Sequence, residues 1–125
     1  MEIEIVEIGD VKIAKLVSDD TVINTVQDAV DIMGNADCLG AGSIVIEEKH
    51  LDPLFFDLRT GIAGEILQKY SVYHIKLAII GEFKKYNSNA LKAFIIECNR
   101  GNSIFFVSDL DSAVENLIQQ TDGET

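Results

Sequence analysis

Apolar residues recur along this chain with two different periods, which together predict strands alternating with helices. Short runs rich in β-branched and other apolar side chains are typical of strands, and they lie at residues 3–8, 11–17, 43–47, 75–80 and 103–107. Apolar residues spaced three or four positions apart predict helices over about 22–40, 60–71, 87–100 and 109–118. The predicted order of elements is therefore β-β-α-β-α-β-α-β-α.

The connections between these elements indicate how the strands pair. Gly9-Asp10 is a turn dipeptide between the first two strands, which predicts an antiparallel hairpin. A helix precedes each later strand, which predicts parallel pairing through right-handed crossovers. We therefore expect an α/β fold with a mixed central sheet of about five strands and about four helices. It would form one domain over residues 1–120, with a frayed tail at 121–125.

Polar and glycine residues set the expected helix boundaries. Ser18-Asp19-Asp20-Thr21 offers N-cap side chains for the first helix, and Gly34 either ends that helix or allows close packing. Asp52-Pro53 is typical of a single capped turn, with Phe55 and Phe56 in the core beneath it. Thr60 would open the second long helix.

The charge of the chain excludes some partners. The formal net charge is -11 and the pI is about 4.4, with only two arginines, Arg59 and Arg100. Nucleic acid and anionic membranes are therefore disfavoured, whereas a basic protein partner is favoured. The first residues lack the features of a signal peptide, and no apolar run is long enough to span a bilayer, so we expect a cytoplasmic protein.

Cysteine and histidine are too sparse to indicate a metal site. Cys38 and Cys98 form no CxxC pair, and we expect both to be reduced and buried. His50 and His74 fall on different elements, which makes a zinc site unfavourable. The sequence indicates no metal and no cofactor.

The stretch from Phe55 to Leu67 is the best candidate for a functional site. An apolar turn runs into Asp57, Arg59 and Thr60, and a helix then begins with Gly61 and Gly64 in its first turns. Thr60 is a candidate phosphate acceptor, because a helix N-terminus tolerates negative charge. The other interpretation is that Thr60 is an ordinary N-cap, which is the commoner role of Ser and Thr at a helix start.

Two other functions are open at the carboxyl ends of the parallel strands, where sites of open α/β sheets gather. A small anion or nucleotide would use the helix start between Arg59 and Gly64, although Thr-Gly-Ile-Ala-Gly is not a P-loop. An enzyme would use acidic side chains and one histidine as acid and base. The candidates for that role are Glu47, Glu48, His50, Asp52 and Asp57. Their spacing matches no catalytic motif, so we predict no enzymatic activity.

Phe56-Asp57-Leu58-Arg59-Thr60-Gly61-Ile62 is similar to the Asp-Ser-Ser-Gly loop of the STAS domain of anti-sigma factor antagonists, with Thr60-Gly61 matching Ser-Gly. That resemblance, which also covers the order of elements, implies a STAS-like fold and phosphorylation of Thr60 by a partner kinase. Three features depart from the STAS pattern. Asp57 lies one residue further from the acceptor, Arg59 replaces a small residue, and the segment 48–56 is longer.

The stretch Phe-Phe-Asp-Leu-Arg-Thr-Gly-Ile-Ala-Gly also resembles an uncharacterised bacterial family of small single-domain proteins, a domain of unknown function. This resemblance extends over almost the whole chain and implies no activity. The function expected from all these features is a protein-interaction module, with a basic or kinase-like regulator as partner. A homodimer through the hairpin strand or a helix face stays open.

Overall fold

One five-stranded sheet organises the computed structural model, which describes residues 1–119. The strands are β1 (Glu2–Ile8), β2 (Val11–Val17), β3 (Ser43–Glu47), β4 (Lys76–Ile80) and β5 (Ile104–Val107), and they lie in the order β1-β2-β3-β4-β5. β1 and β2 pair antiparallel about the turn at Gly9, whose φ is 60°. The other three pairings are parallel. The predicted hairpin is therefore confirmed.

Four α-helices accompany the sheet, which confirms the predicted α/β class with a mixed five-stranded sheet. They are α1 (Val26–Cys38), α2 (Ile62–Val72), α3 (Asn89–Arg100) and α4 (Leu110–Gln119). Four short 3-10 helices occur as well, at Glu48–His50, Pro53–Phe56, Leu58–Thr60 and Phe83–Lys85. No helix in residues 1–119 has the length and apolar character needed to cross a membrane. The tail expected at 121–125 lies outside the described residues.

Each face of the sheet is covered by its own helices. Side chains from α1, α2 and α3 join one face of the sheet in a large apolar core, to which they contribute Ile32, Ile66 and Leu91. α4 packs on the opposite face, where Ala113 and Leu117 contact a smaller cluster. Because successive strands alternate their side chains, each central strand supplies both cores, and β3 is buried on both faces as its apolar run predicts.

The first helix begins later than the sequence pattern predicts. α1 starts at Val26, and Thr25 and Asp28 form a reciprocal capping box, so Ser18–Thr21 do not cap it. Val22 is not helical, because its backbone N–H and that of Ile23 both donate to the carbonyl of His50 at 2.9 Å. A long-range contact therefore overrides the apolar spacing that predicts a helix from residue 22.

Two other expectations for α1 need correction. Gly34 lies inside the helix and is exposed, and a Cβ there would meet nothing within 4 Å, so it neither ends the helix nor packs closely. Cys38 is exposed at the end of α1, whereas Cys98 is buried as expected. Burial raises the pKa of the Cys98 thiol to about 11, which is consistent with an inert structural residue.

The outer edge of β5 is closed by a side chain. Asn99 of α3 accepts a hydrogen bond from the N–H of Phe106 through Oδ1 at 2.8 Å, and its Nδ2 donates to the carbonyl of Phe106 at 3.2 Å. The amide thus imitates one residue of a neighbouring strand. Occupying these groups removes part of the template for unwanted pairing at this edge.

Asn99→Ala should lower the free energy of unfolding by about 0.5–1.5 kcal/mol, because two backbone groups of Phe106 lose their partner. Urea denaturation measures the change. Asn102→Ala is the matched control, since Asn102 is also exposed but lies outside this contact. Equal stability of the two variants would show that the Asn99 amide contributes nothing.

Candidate functional site

The carboxyl ends of β3, β4 and β5 meet at one rim of the sheet, because these strands are parallel. Ligand sites of open α/β sheets gather at this end. Three segments leave the sheet here: residues 48–60 after β3, residues 81–88 after β4, and Ser108-Asp109 after β5. We call residues 48–60 the rim segment, since it carries most of the candidate residues.

The rim segment forms three successive 3-10 helices, and local hydrogen bonds explain the second and third of them. Pro53 occupies a first helical position, and the Asp52 carboxylate accepts from the N–H of Leu54 at 2.9 Å, as its Asp-Pro sequence predicts. Asp57 does the same for the next turn, accepting from the N–H of Arg59 at 3.1 Å. Short polar side chains thus satisfy backbone donors that a 3-10 helix leaves free.

Aromatic packing fixes the rim segment to the sheet. Two of its own side chains, Phe55 and Phe56, are buried in the core, as expected. The ring of Phe56 stacks on Tyr86 with centroids 4.8 Å apart, and Phe55 lies 6.4 Å from Phe106 of β5. Such rings dominate the burial energy of a small domain, so the segment is a part of the fold and not a loose loop.

His50 is a structural residue and not an acid or base. It is 0% exposed, its Nδ1 accepts from the N–H of Glu47 at 3.0 Å, and its Nε2 lies 2.9 Å from the carbonyl oxygen of Ser18. The acceptor role of Nδ1 fixes the tautomer, so Nε2 carries the proton and donates. Both ring nitrogens are therefore occupied by backbone groups.

Thr60 is exposed at the end of the rim segment, immediately before α2. Its hydroxyl lies within donating distance of two carbonyl oxygens, that of Asp57 at 2.8 Å and that of Leu54 at 3.0 Å. It also accepts from the N–H of Ile62 at 3.3 Å. A hydroxyl has one proton, so the two carbonyls share it. The side chain faces solvent while its oxygen is held in place.

The second helix does not begin at Thr60. α2 starts at Ile62, and its N-cap is Gly61, whose φ of 79° is left-handed and favours glycine. Gly61 has no side chain to cap the first turn of α2, so the only side-chain acceptor described there is the Thr60 hydroxyl, 3.3 Å from the N–H of Ile62. Gly64 is exposed, and a Cβ there would meet nothing within 4 Å, so close packing does not explain this glycine.

Arg59 and Asp57 are bound to each other. Arg59 Nε and Nη2 each donate to one oxygen of the Asp57 carboxylate at 3.0 Å. Hydrogen bonds from Arg59 lower the pKa of Asp57, and the same contact raises the pKa of Arg59. The pair is exposed, so it adds little stability, but it leaves the guanidinium with an anion already beside it.

Glu48 forms a charged cluster that the sequence did not reveal. Its carboxylate accepts from the Tyr86 hydroxyl, from Lys85 Nζ at 2.8 Å and from the N–H of Glu82 at 3.3 Å. The Glu48 side chain is only 16% exposed. An added Cβ at Gly81 would lie 2.7 Å from Glu48 Oε1 and 2.8 Å from Glu48 Cβ, so a side chain there would force Glu48 to move.

The environment of this cluster moves two pKa values in opposite directions. Burial alone would raise the pKa of Glu48, but hydrogen bonds from Lys85, Tyr86 and Glu82 outweigh it, and the pKa is lowered. Burial, followed by the contact with the Glu48 carboxylate, raises the pKa of the Tyr86 hydroxyl. The cluster therefore consists of a carboxylate, an ammonium group and a neutral phenol.

The acid and base candidates do not assemble into one site. His50 and Glu48 have the partners described above, while Asp52 and Asp57 cap their own turns. Glu47 is exposed at the end of β3. In the described part of the chain, no group of three or more potential ligands could hold a metal ion.

Among the clefts in the described part of the chain, two lie at the rim beside the candidate residues. One of about 420 Å³ lies at the ends of β4 and β5, lined among others by Phe83, Phe106, Ser112 and Asn116. Another of about 360 Å³ lies between the rim segment and Tyr86, with Glu48 and Lys85 in its wall. Neither includes the helix start from Arg59 to Gly64 that was expected to bind an anion.

The cluster at Glu48 could have been foreseen only in part. The sequence places Glu48 and Lys85 after neighbouring parallel strands, which is a signal for proximity. The hydrogen bond from Tyr86 to Glu48 joins residues 38 positions apart, and no local pattern indicates it or the stack of Tyr86 on Phe56.

The fold and rim define an α/β domain with a mixed sheet and a compact segment above the ends of its parallel strands. The chain belongs to the family described as Domain of unknown function (DUF4180), whose model matches residues 8–117. This confirms membership of an uncharacterised family. No curated protein matches the sequence.

Replacing Tyr86 by Phe should lower the free energy of unfolding by about 1.5–3 kcal/mol, the value of a hydrogen bond to a charged group. The ring and its stack on Phe56 would be retained. Chemical denaturation at neutral pH measures the loss. Tyr73→Phe is the control, because Tyr73 is 61% exposed. Equal stability of both variants would contradict the role of the Tyr86 hydroxyl.

The lowered pKa of Glu48 also predicts a dependence on acid. Its stabilising effect is complete above the ordinary value of 4.5 and is lost as the pH falls through the lower folded-state pKa. Wild-type protein should therefore lose stability on acidification more steeply than Glu48→Gln. Thermal unfolding between about pH 6 and pH 3 measures both slopes. Parallel curves would contradict the assignment.

Proposed function

We propose that this protein is a cytoplasmic, STAS-like interaction module of a bacterial cell, regulated by phosphorylation of Thr60. Its partner would contact a surface formed by Leu54, Asp57, Arg59, Thr60, Gly61 and Gly64, which we call the contact surface. One observation carries the proposal: Thr60 is exposed at the junction of the rim segment and α2. A kinase can reach a residue in that position without unfolding the domain.

The contact surface combines apolar and charged groups, as interaction surfaces do. Leu54 is 52% exposed although it lies between the buried residues Phe55 and Leu51. Arg59 is 92% exposed in its side chain. The rest of the chain is strongly acidic, with a net charge of -11. A partner with an apolar pocket for Leu54 and a basic margin would be complementary to it.

Phosphorylation would change this surface through its hydrogen bonds. The phosphoryl group replaces the hydroxyl proton, so the contacts from Thr60 to the carbonyls of Leu54 and Asp57 are lost. It adds about -1.5 to -2 charges, which the carbonyls and the Asp57 carboxylate repel. Arg59 and the positive N-terminal end of α2 attract the same charge. Phosphothreonine would therefore compete with Asp57 for Arg59 and rearrange the turn Leu58–Thr60.

A small anion at the start of α2 is the second candidate function. The glycine at the N-cap of α2, which supplies no side chain, and the open space at Gly64 favour it. The Asp57 carboxylate on Arg59 opposes it, because an incoming anion must displace a bound one. We therefore rank this function below the interaction module.

Thr60→Glu should reduce retention of the physiological partner at least tenfold, about 1.4 kcal/mol, whereas Thr60→Ala and Thr60→Ser retain it. The measurement is quantitative mass spectrometry of proteins that copurify with each variant expressed in the native host. Ser71→Glu is the matched control, since it adds the same charge at an exposed position near the end of α2. Mass spectrometry of the wild-type protein should also show phosphorylated Thr60.

Two results would contradict the proposal. Thr60 could stay unmodified in host cells with active kinases, or Thr60→Glu could retain every partner of Thr60→Ala. Heat on titration of inorganic phosphate or nucleotides into unmodified protein, abolished in Arg59→Ala, would instead support the small-anion function.

A further inference from the structure

The two edges of the sheet are unlike each other. The backbone of β5 is engaged by the Asn99 amide at Phe106. β1 is the opposite edge, and among residues 1–119 it pairs with β2 alone. Its outward N–H and C=O groups therefore have no strand partner in the described chain. An edge of this kind is a template for a further strand.

The side chains of β1 give this edge a defined charge. Glu2, Glu4 and Glu7 are exposed, while Ile3 and Ile5 pack against the large core. The apolar side chains therefore anchor β1 to the core, and the exposed glutamates make its surface acidic. Its backbone is held in extended form by seven paired positions with β2.

The known neighbour of β1 shows which charges suit it. In β2, Lys15 lies directly opposite Glu4, and Lys12 lies directly opposite Glu7. Opposite charges facing each other across an antiparallel pair stabilise the pair. A strand added on the outer side would meet the same glutamates, so basic side chains at corresponding positions would be favoured there too.

The same charges oppose pairing between two copies of this chain. Two β1 edges side by side would bring three glutamates from each copy into one ladder. Like charges across a strand pair are destabilising, and charged edges are a common protection against self-association. The acidic edge thus selects against a second copy and in favour of a basic chain.

We propose that the outer edge of β1 is a docking site for an extended, basic segment of another protein. The segment adds antiparallel to β1 as a further strand, with lysine or arginine opposite Glu2, Glu4 and Glu7. Backbone hydrogen bonds supply the affinity, and the three charges supply the selectivity. This site is separate from the contact surface and does not depend on the function of Thr60.

The test uses the full chain and a soluble synthetic peptide. The peptide carries lysine at the first, fourth and sixth positions of a threonine-rich extended stretch, which matches Glu7, Glu4 and Glu2 in antiparallel order. A second peptide has the same charge but a central proline, which cannot continue a strand ladder. Nuclear magnetic resonance titration at low salt reports affinity and the residues that respond.

We expect the lysine peptide to bind with a Kd below about 1 mM, with shift changes and slowed amide exchange confined to β1 and its flanks. The proline peptide should bind at least tenfold more weakly. Glu4→Lys should weaken binding of the lysine peptide at least tenfold, and Glu4→Gln should do so to a smaller degree. Glu97→Lys, the same change on the exposed face of α3, should bind like the wild type.

Any of four results would overturn the docking site. The lysine peptide could fail to bind at about 1 mM, or the proline peptide could bind equally well. The responding residues could lie at the rim instead of β1. Finally, the free protein could dimerise through β1, which would make a second copy the occupant.

Discussion

The rim of this protein depends on the buried imidazole of His50. The two ring nitrogens bind the backbone of Glu47 and Ser18. The main-chain carbonyl of His50 accepts from the N–H groups of Val22 and Ile23. One residue therefore ties the exit of β3 to the exit of β2 and to the chain that leads into α1. A buried polar group that loses its partner costs about 1–3 kcal/mol, so these bonds favour one arrangement of the segment above the sheet. With the segment held in this arrangement, the rings of Phe55 and Phe56 pack in the core between it and the sheet.

The two proposed surfaces differ in whether their backbone N–H and C=O groups already have hydrogen-bond partners. At the rim, 3-10 turns capped by Asp52 and Asp57 satisfy the backbone locally, so that only side chains such as Thr60 are offered to a partner. At β1 the outward backbone groups themselves are available to a partner strand, and the charges of the exposed glutamates favour a basic strand over an acidic one. The acidic charge of the chain is thus not uniform in its effect. At Glu48 the charge is neutralised by Lys85, whereas along β1 three exposed glutamates lie on an edge that pairs with β2 alone in the described chain.

Much of the fold could be predicted because it depends on local periodicity. The hairpin, the mixed sheet and the four helices each have their own apolar pattern, and the turn at Asp52-Pro53 has its own capping signal. The predicted helix starts were wrong where contacts with other parts of the chain, or the backbone conformation of a neighbouring residue, determine the local structure. Val22 has helical spacing, but the carbonyl of His50 captures its N–H. Thr60 has the chemistry of an N-cap, but the left-handed Gly61 takes that position. The Glu48 cluster depends on the stack of Tyr86 on Phe56, which brings the Tyr86 hydroxyl to the carboxylate. No local spacing in the sequence predicts this contact.

The central claim is that residues 48–60 are a fixed part of the domain and not a mobile loop. Native-state hydrogen exchange tests it directly, because the amides of Leu51, Asp52 and Phe55 donate to backbone carbonyls at 2.9–3.1 Å. These amides should exchange at rates comparable with those of α2, far more slowly than in an unfolded peptide. Exchange of the three amides at unprotected rates, while β3 and β4 remain protected, would contradict the account.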